Sequence, residues 1–238
     1  MVEAQKPDRF ARLYVVGDIH GRLDLLDQLI EAIHRDASTY AGNSLTVTLG
    51  DYIDRGPNSR GVIDRLLTNP FPGDYIALKG NHEALLEKFL DQPESGTQWR
   101  QLGGLETLHS FGIPVAALMM GQQFENAAGQ LGATLSPERV NFLSSLKLSL
   151  TVGRFFLCHA GVRPGVPLDR QNKQDLLWIR DEFLNCEQDF GKIVVHDHTP
   201  IERPEVRPNR INIDTGAFAT GRLTCLILEG DSYRFIST

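Results

Sequence analysis

Residues 13–21 of the chain read LYVVGDIHG, an apolar run that ends abruptly in a loop of glycine, aspartate and histidine. The four apolar residues Leu13–Val16 predict a buried strand, and the glycine-aspartate pair that follows ends it. Residues 23–33 then carry leucine and isoleucine at helical spacing. This pattern predicts a strand, a loop and a helix, with polar side chains at the carboxyl end of the strand.

The same unit occurs twice more in the first half of the chain. A predicted strand at residues 45–49 precedes a predicted helix at residues 60–67, and a strand at 75–78 precedes a helix at 83–90. Strands that alternate with helices favour a mostly parallel sheet covered by helices.

The rest of the chain has a different pattern. Residues from about 91 to 146 indicate helices, among them residues 102–111 and a helix opened by Ser136 as N-cap with Pro137 at its first position. We interpret this stretch as a helical insertion or cap. Strands return at residues 148–152, 155–158, 192–195, 210–213, 223–228 and 233–236, with hairpin turns at 153–154 and 229–231. The expected fold is an α/β sandwich of two mixed sheets flanked by helices, in one domain over residues 1–238.

The composition is that of an ordinary folded domain. The chain has 238 residues, of which 41% are hydrophobic and 23% charged, and its formal net charge is −6. An acidic chain without a basic run argues against nucleic acid or an anionic membrane as main partner. Its three scattered cysteines do not form a disulfide framework. Because no signal-like start or membrane-length apolar run occurs, we expect a cytoplasmic protein.

Five short polar loops follow predicted strands. One such loop alone is more often only a turn, but the carboxyl ends of parallel strands meet at one edge, where five loops would converge. Their carboxylate, imidazole and amide groups, without thiolate, suit hard or borderline divalent metals. The loops are residues 17–21, 50–56, 80–83, 159–161 and 196–199.

The motifs GDIHG (17–21), GDYIDRG (50–56) and GNHE (80–83), followed by two histidine loops, resemble the phosphoprotein phosphatase family of the calcineurin-like metallophosphoesterases. The resemblance covers residues 12–228. It implies the fold of that family and an in-line attack on phosphorus by a hydroxide bound to two metal ions. Manganese is the first expectation for the ions, and iron, zinc, nickel and cobalt also suit the donors.

The resemblance also implies a role for each matching residue. One metal would be held by Asp18 and His20, Asp51 would bridge both, and the second would be held by Asn81, His159 and His198. His82 would be the general acid that protonates the leaving oxygen, with Asp54 orienting it. Arg55 would bind phosphoryl oxygens, with Asn81 and Arg180 as further substrate-binding residues.

One position departs from the family pattern. Many relatives carry Gly-His-Thr at the last metal histidine, whereas here Asp197 precedes His198. Glycine could be needed there for backbone freedom, and His196 is a rival ligand. Our hypothesis is that Asp197 weakens or reshapes the second metal site.

Three functions compete. The favoured one is a serine/threonine protein phosphatase, acting on a phosphorylated protein or peptide. The second is a bis(5'-nucleosyl)-tetraphosphatase, which would use the positive charge of Arg163, Arg170 and Lys173 for a dinucleoside polyphosphate. The third, an inactive phospho-ligand binding module, conflicts with the retained metal and acid positions.

Two residues outside the metal set have open interpretations. Glu83 either orients a neighbouring group or only occupies the first turn of a helix, where the helix dipole favours a carboxylate. Trp99 is expected to serve in packing.

Overall fold

The computed structural model describes residues 12–238. The strands are β1 (Arg12–Val16), β2 (Ser44–Thr48), β3 (Asp74–Ala77), β4 (Ser149–Val152), β5 (Phe155–Cys158), β6 (Ile193–His196), β7 (Glu205–Val206), β8 (Arg210–Asn212), β9 (Thr224–Glu229) and β10 (Ser232–Ser237). The α-helices are α1 (Leu23–Ala37), α2 (Ser59–Leu66), α3 (Asn81–Asp91), α4 (Gly96–Trp99), α5 (Gly104–Ser110), α6 (Ala116–Met119), α7 (Phe124–Thr134), α8 (Pro137–Ser145), α9 (Lys173–Trp178), α10 (Asp181–Leu184) and α11 (Ala217–Thr220).

The strands form two five-stranded mixed sheets, in the orders β10-β9-β1-β2-β3 and β4-β5-β6-β8-β7. In the first sheet β1, β2 and β3 are parallel, and the hairpin of β9 and β10 is added antiparallel to β1. In the second, β5, β6 and β8 are parallel, with β4 and β7 antiparallel at the edges. The predicted pair of mixed sheets is confirmed.

The sheets pack face to face through one apolar layer. Alternate side chains of β1, such as Leu13 and Val15, meet Leu157 of β5 and Val195 of β6 in that layer. The opposite face of β1 carries Tyr14 and Val16, which pack against α1, because side chains alternate along a strand. Complete burial of β1 on both faces explains its unbroken apolar sequence.

Helices cover the outer faces of both sheets. The helix α1 begins at Leu23, as predicted, and buries one apolar stripe of five residues, Leu25, Leu26, Leu29, Ile30 and Ile33. The helices between residues 81 and 145 pack on the same side of the molecule. On the second sheet, α9 and α10 bury Leu176 and Phe183 against β5 and β6.

The segment 91–146 is helical, as expected, but its helices are shorter than predicted. The expected helix at residues 102–111 is broken at Gly103, whose φ of 104° lies in the left-handed region, and α5 begins after it. The N-cap at Ser136 is confirmed, because its side chain accepts a hydrogen bond from the Arg139 amide. The helices α9, α10 and α11 were not predicted, since four to six residues are too few for helical periodicity to appear. Among residues 12–238, no helix combines the length and apolar character that crossing a bilayer requires.

Candidate metal centre and active site

The five polar loops converge at the carboxyl ends of β1, β2, β3, β5 and β6. The first two loops are tied by backbone hydrogen bonds, since the His20 amide donates to Asp51 O (2.7 Å) and the Gly21 amide to Tyr52 O (2.9 Å). The last two are tied in the same way, because the Asp197 amide donates to His159 O (2.7 Å). The expected meeting of these loops at one site is what the topology produces.

Two groups of candidate metal ligands share the carboxylate of Asp51. His20, Asp51 and His82 form one group, and Asp51, His159 and His198 form the other, with the ligand atoms of each group within 4.8 Å of one another. From Asp51 Oδ2 the distance is 3.4 Å to His20 Nε2 and 3.5 Å to His159 Nε2. A carboxylate between two histidine groups is the arrangement that a bridging ligand of two ions requires.

Backbone carbonyls fix the tautomers of two of these histidines. His20 donates from Nδ1 to Ile53 O (2.8 Å), and His159 donates from Nδ1 to Leu49 O (3.2 Å). Their Nε2 lone pairs therefore face Asp51, ready to bind a cation. Burial lowers the pKa of both rings, that of His20 to about 3, so both are neutral at pH 7 as metal binding requires.

The remaining predicted ligands lie at the same centre. Asn81 Oδ1 is 2.8 Å from His159 Nε2, and Asp18 Oδ1 is 3.5 Å from His159 Nδ1. Asp18 Oδ1 and His198 Nε2 are buried without a hydrogen-bond partner among residues 12–238. Buried polar atoms without a partner are costly, and bound cations would satisfy them, so the donor set fits divalent metal ions.

The charges at the centre point to the same conclusion. Burial, and then the charge of Asp51, raise the pKa of Asp18 well above its usual range. Burial would also raise the pKa of Asp51, but the surrounding histidines, His159 foremost, outweigh it and lower that pKa. Two neighbouring buried carboxylates of this kind are stabilised in their ionised form by bound cations.

His82, which belongs to the first candidate group, is hydrogen-bonded to Asp54. His82 donates from Nδ1 to Asp54 Oδ2 (2.6 Å), and its Nε2 lies 3.8 Å from Asp51 Oδ2. Burial alone would lower the pKa of His82, but Asp51 and Asp54 outweigh it and raise that pKa. The ring is therefore held with Nε2 toward the site and with its protonated form favoured, as a general acid needs.

The helical insertion holds Asp54 in place. Trp99, from α4, donates from Nε1 to Asp54 Oδ2 (2.6 Å), and Thr107, from α5, donates to Oδ1 (2.5 Å). The Asp54 amide in turn donates to Thr107 Oγ1 and Ser59 Oγ. Trp99 is buried, as expected. Its indole also holds Asp54, the partner of His82, and this second role was not predicted from the sequence.

The two predicted arginines occupy different environments. Arg55 is half-buried, and its guanidinium lies 3.2 Å from His82 Nε2. Arg180 is exposed and precedes α10. Burial foremost, and then the charges of His159 and Arg180, lower the pKa of His198 to about 2, so Arg180 lies within electrostatic reach of the centre.

Backbone strain is concentrated at this site. Positive φ occurs at seven non-glycine residues of the described chain, and five of them lie here: His20 (46°), Asp51 (50°), Asp54 (71°), Arg55 (67°) and His198 (70°). Such conformations cost about 1–3 kcal/mol each and persist only where the surroundings enforce them. The enforcing contacts include the carboxylate of Glu83, which accepts hydrogen bonds from the amides of Asp51, Tyr52 and Gly80. Of its two open interpretations, the structure thus favours orientation of the Asp51 loop.

Close backbone contact between two loops requires glycine at position 80. A Cβ on Gly80 would lie 2.0 Å from Asp51 Oδ1 and 2.3 Å from the Asp51 amide nitrogen. Since real side chains do not approach so closely, only glycine allows the loop of residues 80–83 to lie against Asp51.

Asp197 is buried next to acidic neighbours. Both of its carboxylate oxygens lack a hydrogen-bond partner among residues 12–238. Burial, and then the charges of Asp214 and Asp51, raise its pKa well above the usual range. The positive φ of this loop lies at His198 rather than at Asp197, so the departure from glycine does not strain the backbone at residue 197. The rival ligand His196 belongs to neither metal-ligating group, and its Nε2 instead lies 3.4 Å from Arg210 NH1.

Two further residues at the site were missed by the sequence reasoning. Asp214 is buried beside Asp197, and Phe218, four residues later, contacts His20 with ring centroids 5.4 Å apart. Asp214-Thr215-Gly216 follows β8, and this polar loop after a strand is the signal that could have identified Asp214. Phe218 carries no comparable signal.

A family comparison agrees with this geometry. The family model described as calcineurin-like phosphoesterase matches residues 11–223, most of the chain. A crystal structure of a proposed diadenosine tetraphosphatase covers 98% of this chain and 96% of its own, with a TM-score of 0.67 and 22% identity. At that identity the likeness supports the fold alone.

Curated relatives carry two kinds of name. Serine/threonine-protein phosphatase 2 of Escherichia coli is 38% identical over 96 residues, which are 40% of this chain and 39% of that protein. The protein of the same name from Salmonella typhimurium is 27% identical and covers 91% of this chain and 93% of its own length. The asymmetrical bis(5'-nucleosyl)-tetraphosphatase PrpE of Anoxybacillus flavithermus is 24% identical, with coverage of 89% and 88%. The chain belongs to the calcineurin-like phosphoesterase family and is a hydrolase, a metallophosphoesterase whose family implies divalent metal ions.

Proposed function

We propose that the chain removes phosphate from phosphoserine or phosphothreonine in proteins or peptides, at the centre formed around Asp51. The observation that carries phosphoester hydrolysis is that two groups of candidate metal ligands share one carboxylate, with His82 of the first group hydrogen-bonded to Asp54. Bound divalent ions would supply Lewis acidity and lower the pKa of an attacking water. In this proposal Asp18, His20, Asp51, Asn81, His159 and His198 hold those ions.

The chain's own residues have separate tasks in the reaction. Arg55 and Arg180 bind the phosphoryl oxygens and balance the charge that develops on them in the transition state. His82 gives its Nε2 proton to the leaving oxygen, and Asp54 keeps the ring in the required orientation. Asn81, whose Oδ1 lies 2.8 Å from His159 Nε2, contributes to substrate binding as well.

Ion pairing at the surface favours a phosphopeptide over a polyphosphate. Arg163 is bound in a fork by Asp175 (2.9 and 2.6 Å), and Lys173 lies 3.8 Å from Glu87. Two of the three cations considered for a polyphosphate are therefore already paired with carboxylates. The tetraphosphatase alternative is supported by the relatives named PrpE, which align over nearly nine-tenths of the chain.

Manganese is the metal to test first, because nitrogen and oxygen donors accept it and its relatives in the first transition row. We propose the cytoplasm as the compartment, in keeping with the free thiols of Cys158, Cys186 and Cys225. We also propose that the two sheets and the helical insertion act as one domain, since the insertion supplies Trp99 and Thr107 to Asp54.

The test compares two substrates on the same preparation. Metal-stripped protein is reloaded with Mn²⁺ and given a phosphothreonine peptide or diadenosine tetraphosphate, and initial rates are followed by free phosphate and by nucleotide product. We expect the higher kcat/KM on the peptide. A higher value on the dinucleotide would overturn the protein phosphatase assignment, and no turnover of either substrate would support an inactive binding module.

A further inference from the structure

Resting on the proposed function, we propose that Phe218 positions Arg55 for the phosphoryl group, as a ring platform on which the guanidinium lies. The Arg55 guanidinium carbon is 4.5 Å from the centroid of the Phe218 ring. A guanidinium over an aromatic face is attracted by the ring quadrupole, and it keeps its hydrogen-bond donors free at the edge. Phe218 would thus be a positioning residue, acting on substrate through Arg55.

Arg55 needs such a platform because its other contacts do not hold its charge. Within residues 12–238, no carboxylate lies at ion-pair distance from Arg55. Its guanidinium contacts His82 Nε2 (3.2 Å), the atom that must release a proton to the leaving group. The backbone of Arg55 is fixed by the bond from its amide to Gly103 O (3.2 Å), but that bond leaves a long, flexible side chain unrestrained.

The platform is itself held by neighbouring groups. Phe218 lies in the short helix α11, where the preceding carbonyl, Ala217 O, accepts a hydrogen bond from Arg22 NH1 (3.0 Å). The amide of Gly216 donates to Asp214 Oδ1 (2.9 Å), which fixes the start of the same helix. The ring also meets His20 in a T-shaped contact. The two backbone hydrogen bonds anchor the segment that carries Phe218, and the His20 contact orients its ring, which gives the ring a fixed position from which it can hold Arg55.

The ring also faces open space. A groove of about 620 Å³ is lined by Arg55 and Phe218 together with Arg22, Leu23, Asp24 and Pro57. The organic part of a substrate whose phosphate lies at Arg55 has room to enter this groove. Phe218 could therefore affect binding through Arg55 or by touching that organic part directly, and a test must separate the two routes.

Inorganic phosphate separates them, since it has no organic part. We would measure its affinity for Mn²⁺-loaded protein by calorimetry in the wild type, Phe218→Leu, Arg55→Ala and the double variant. Phe218→Leu should weaken phosphate binding about fivefold, the order of one cation–π contact at a partly exposed site. In the Arg55→Ala background, Phe218→Leu should cause no further loss of phosphate affinity. Phe218→Tyr keeps the ring and should restore the wild-type affinity.

Tyr40→Leu is a matched control, because it removes a ring beneath another arginine, Arg12, at 4.0 Å. It should leave phosphate affinity unchanged. Equal losses from Phe218→Leu with and without Arg55, or an unchanged affinity in Phe218→Leu, would overturn the positioning role. A phosphate affinity that does not depend on Arg55 would overturn it as well. A protein that binds phosphate with the expected pattern but hydrolyses no phosphoester would instead refute the proposed function.

Discussion

At the scale of single residues, the reactive groups differ in which protonation state their surroundings favour. Burial keeps His20 neutral, with its pKa lowered to about 3, whereas Asp51 and Asp54 raise the pKa of His82. The two rings are close, with centroids 4.7 Å apart. The pKa values of these two neighbouring histidines are shifted in opposite directions. This suits them for different tasks, one as a metal ligand and one as a proton donor.

Replacing the proposed acid should produce a loss that depends on the leaving group. His82→Asn should lower kcat on alkyl phosphates, such as a phosphothreonine peptide, by roughly 10²–10⁴-fold. The loss should be smaller on aryl phosphates, whose leaving groups need little protonation. Steady-state rates on both substrate types measure this, and equal losses would contradict the acid role.

The buried carboxylate of Asp197 should affect stability in a pH-dependent way. Its pKa in the folded protein is raised, so the metal-free protein should lose stability as pH rises from near 4 through that higher pKa. Asp197→Asn lacks this titration, and its melting temperature relative to the wild type should therefore increase with pH. Melting curves of metal-free protein from pH 4 to 8 measure the difference, and a constant or decreasing difference would contradict the placement of this carboxylate.

The same position tests the hypothesis about the second metal site. Asp197→Gly restores the residue that many relatives carry there and should change Mn²⁺ affinity and turnover if Asp197 weakens or reshapes the site. Asp197→Asn, which keeps the side-chain shape, serves as its control. Unchanged Mn²⁺ affinity and turnover in Asp197→Gly would eliminate that hypothesis.

At the scale of elements, the helical insertion is part of the site as well as its cover. The helices α4 and α5 supply the two side chains that hold Asp54, across sequence separations of 45 and 53 residues. The polar loops were predictable because each repeats one local pattern, a strand followed by Gly, Asp, His or Asn. The roles of Trp99 and Thr107 were not predictable, because a single indole or hydroxyl has no local sequence pattern and its partner is set by packing.

A matched pair of substitutions at Thr107 tests whether its hydrogen bond to Asp54 contributes to catalysis. Thr107→Val removes the hydroxyl that donates to Asp54 and keeps the shape, whereas Thr107→Ser keeps the hydroxyl. A hydrogen bond to a charged group contributes about 1.5–3 kcal/mol, so we expect Thr107→Val to lower kcat on alkyl phosphates roughly tenfold or more. Thr107→Ser should remain near the wild type. A uniform loss on alkyl and aryl phosphates would indicate general destabilisation rather than a misoriented His82.

At the scale of the whole molecule, the fold brings five strand ends to one place. The apolar run Leu13–Val16 predicted a strand buried on both faces, and the alternation of strands with helices predicted the parallel part of the first sheet. The hairpins at Gly153 and Gly230 predicted the antiparallel additions to both sheets. The short edge strand β7 was missed, since two residues carry no periodic signal. How Phe218 meets Arg55 depends on the packing of two distant loops and has no local signature.

The proposed function requires two divalent ions around Asp51, and a count of the bound metal is the direct test of that requirement. Metal-stripped protein would be titrated with Mn²⁺ by calorimetry, with the metal content of the dialysed product measured independently, in the wild type and in Asp51→Asn. We expect two ions per chain in the wild type and the loss of tight binding of both in Asp51→Asn, since that carboxylate lies in both candidate groups. One ion or none in the wild type, or two tightly bound ions in Asp51→Asn, would contradict it.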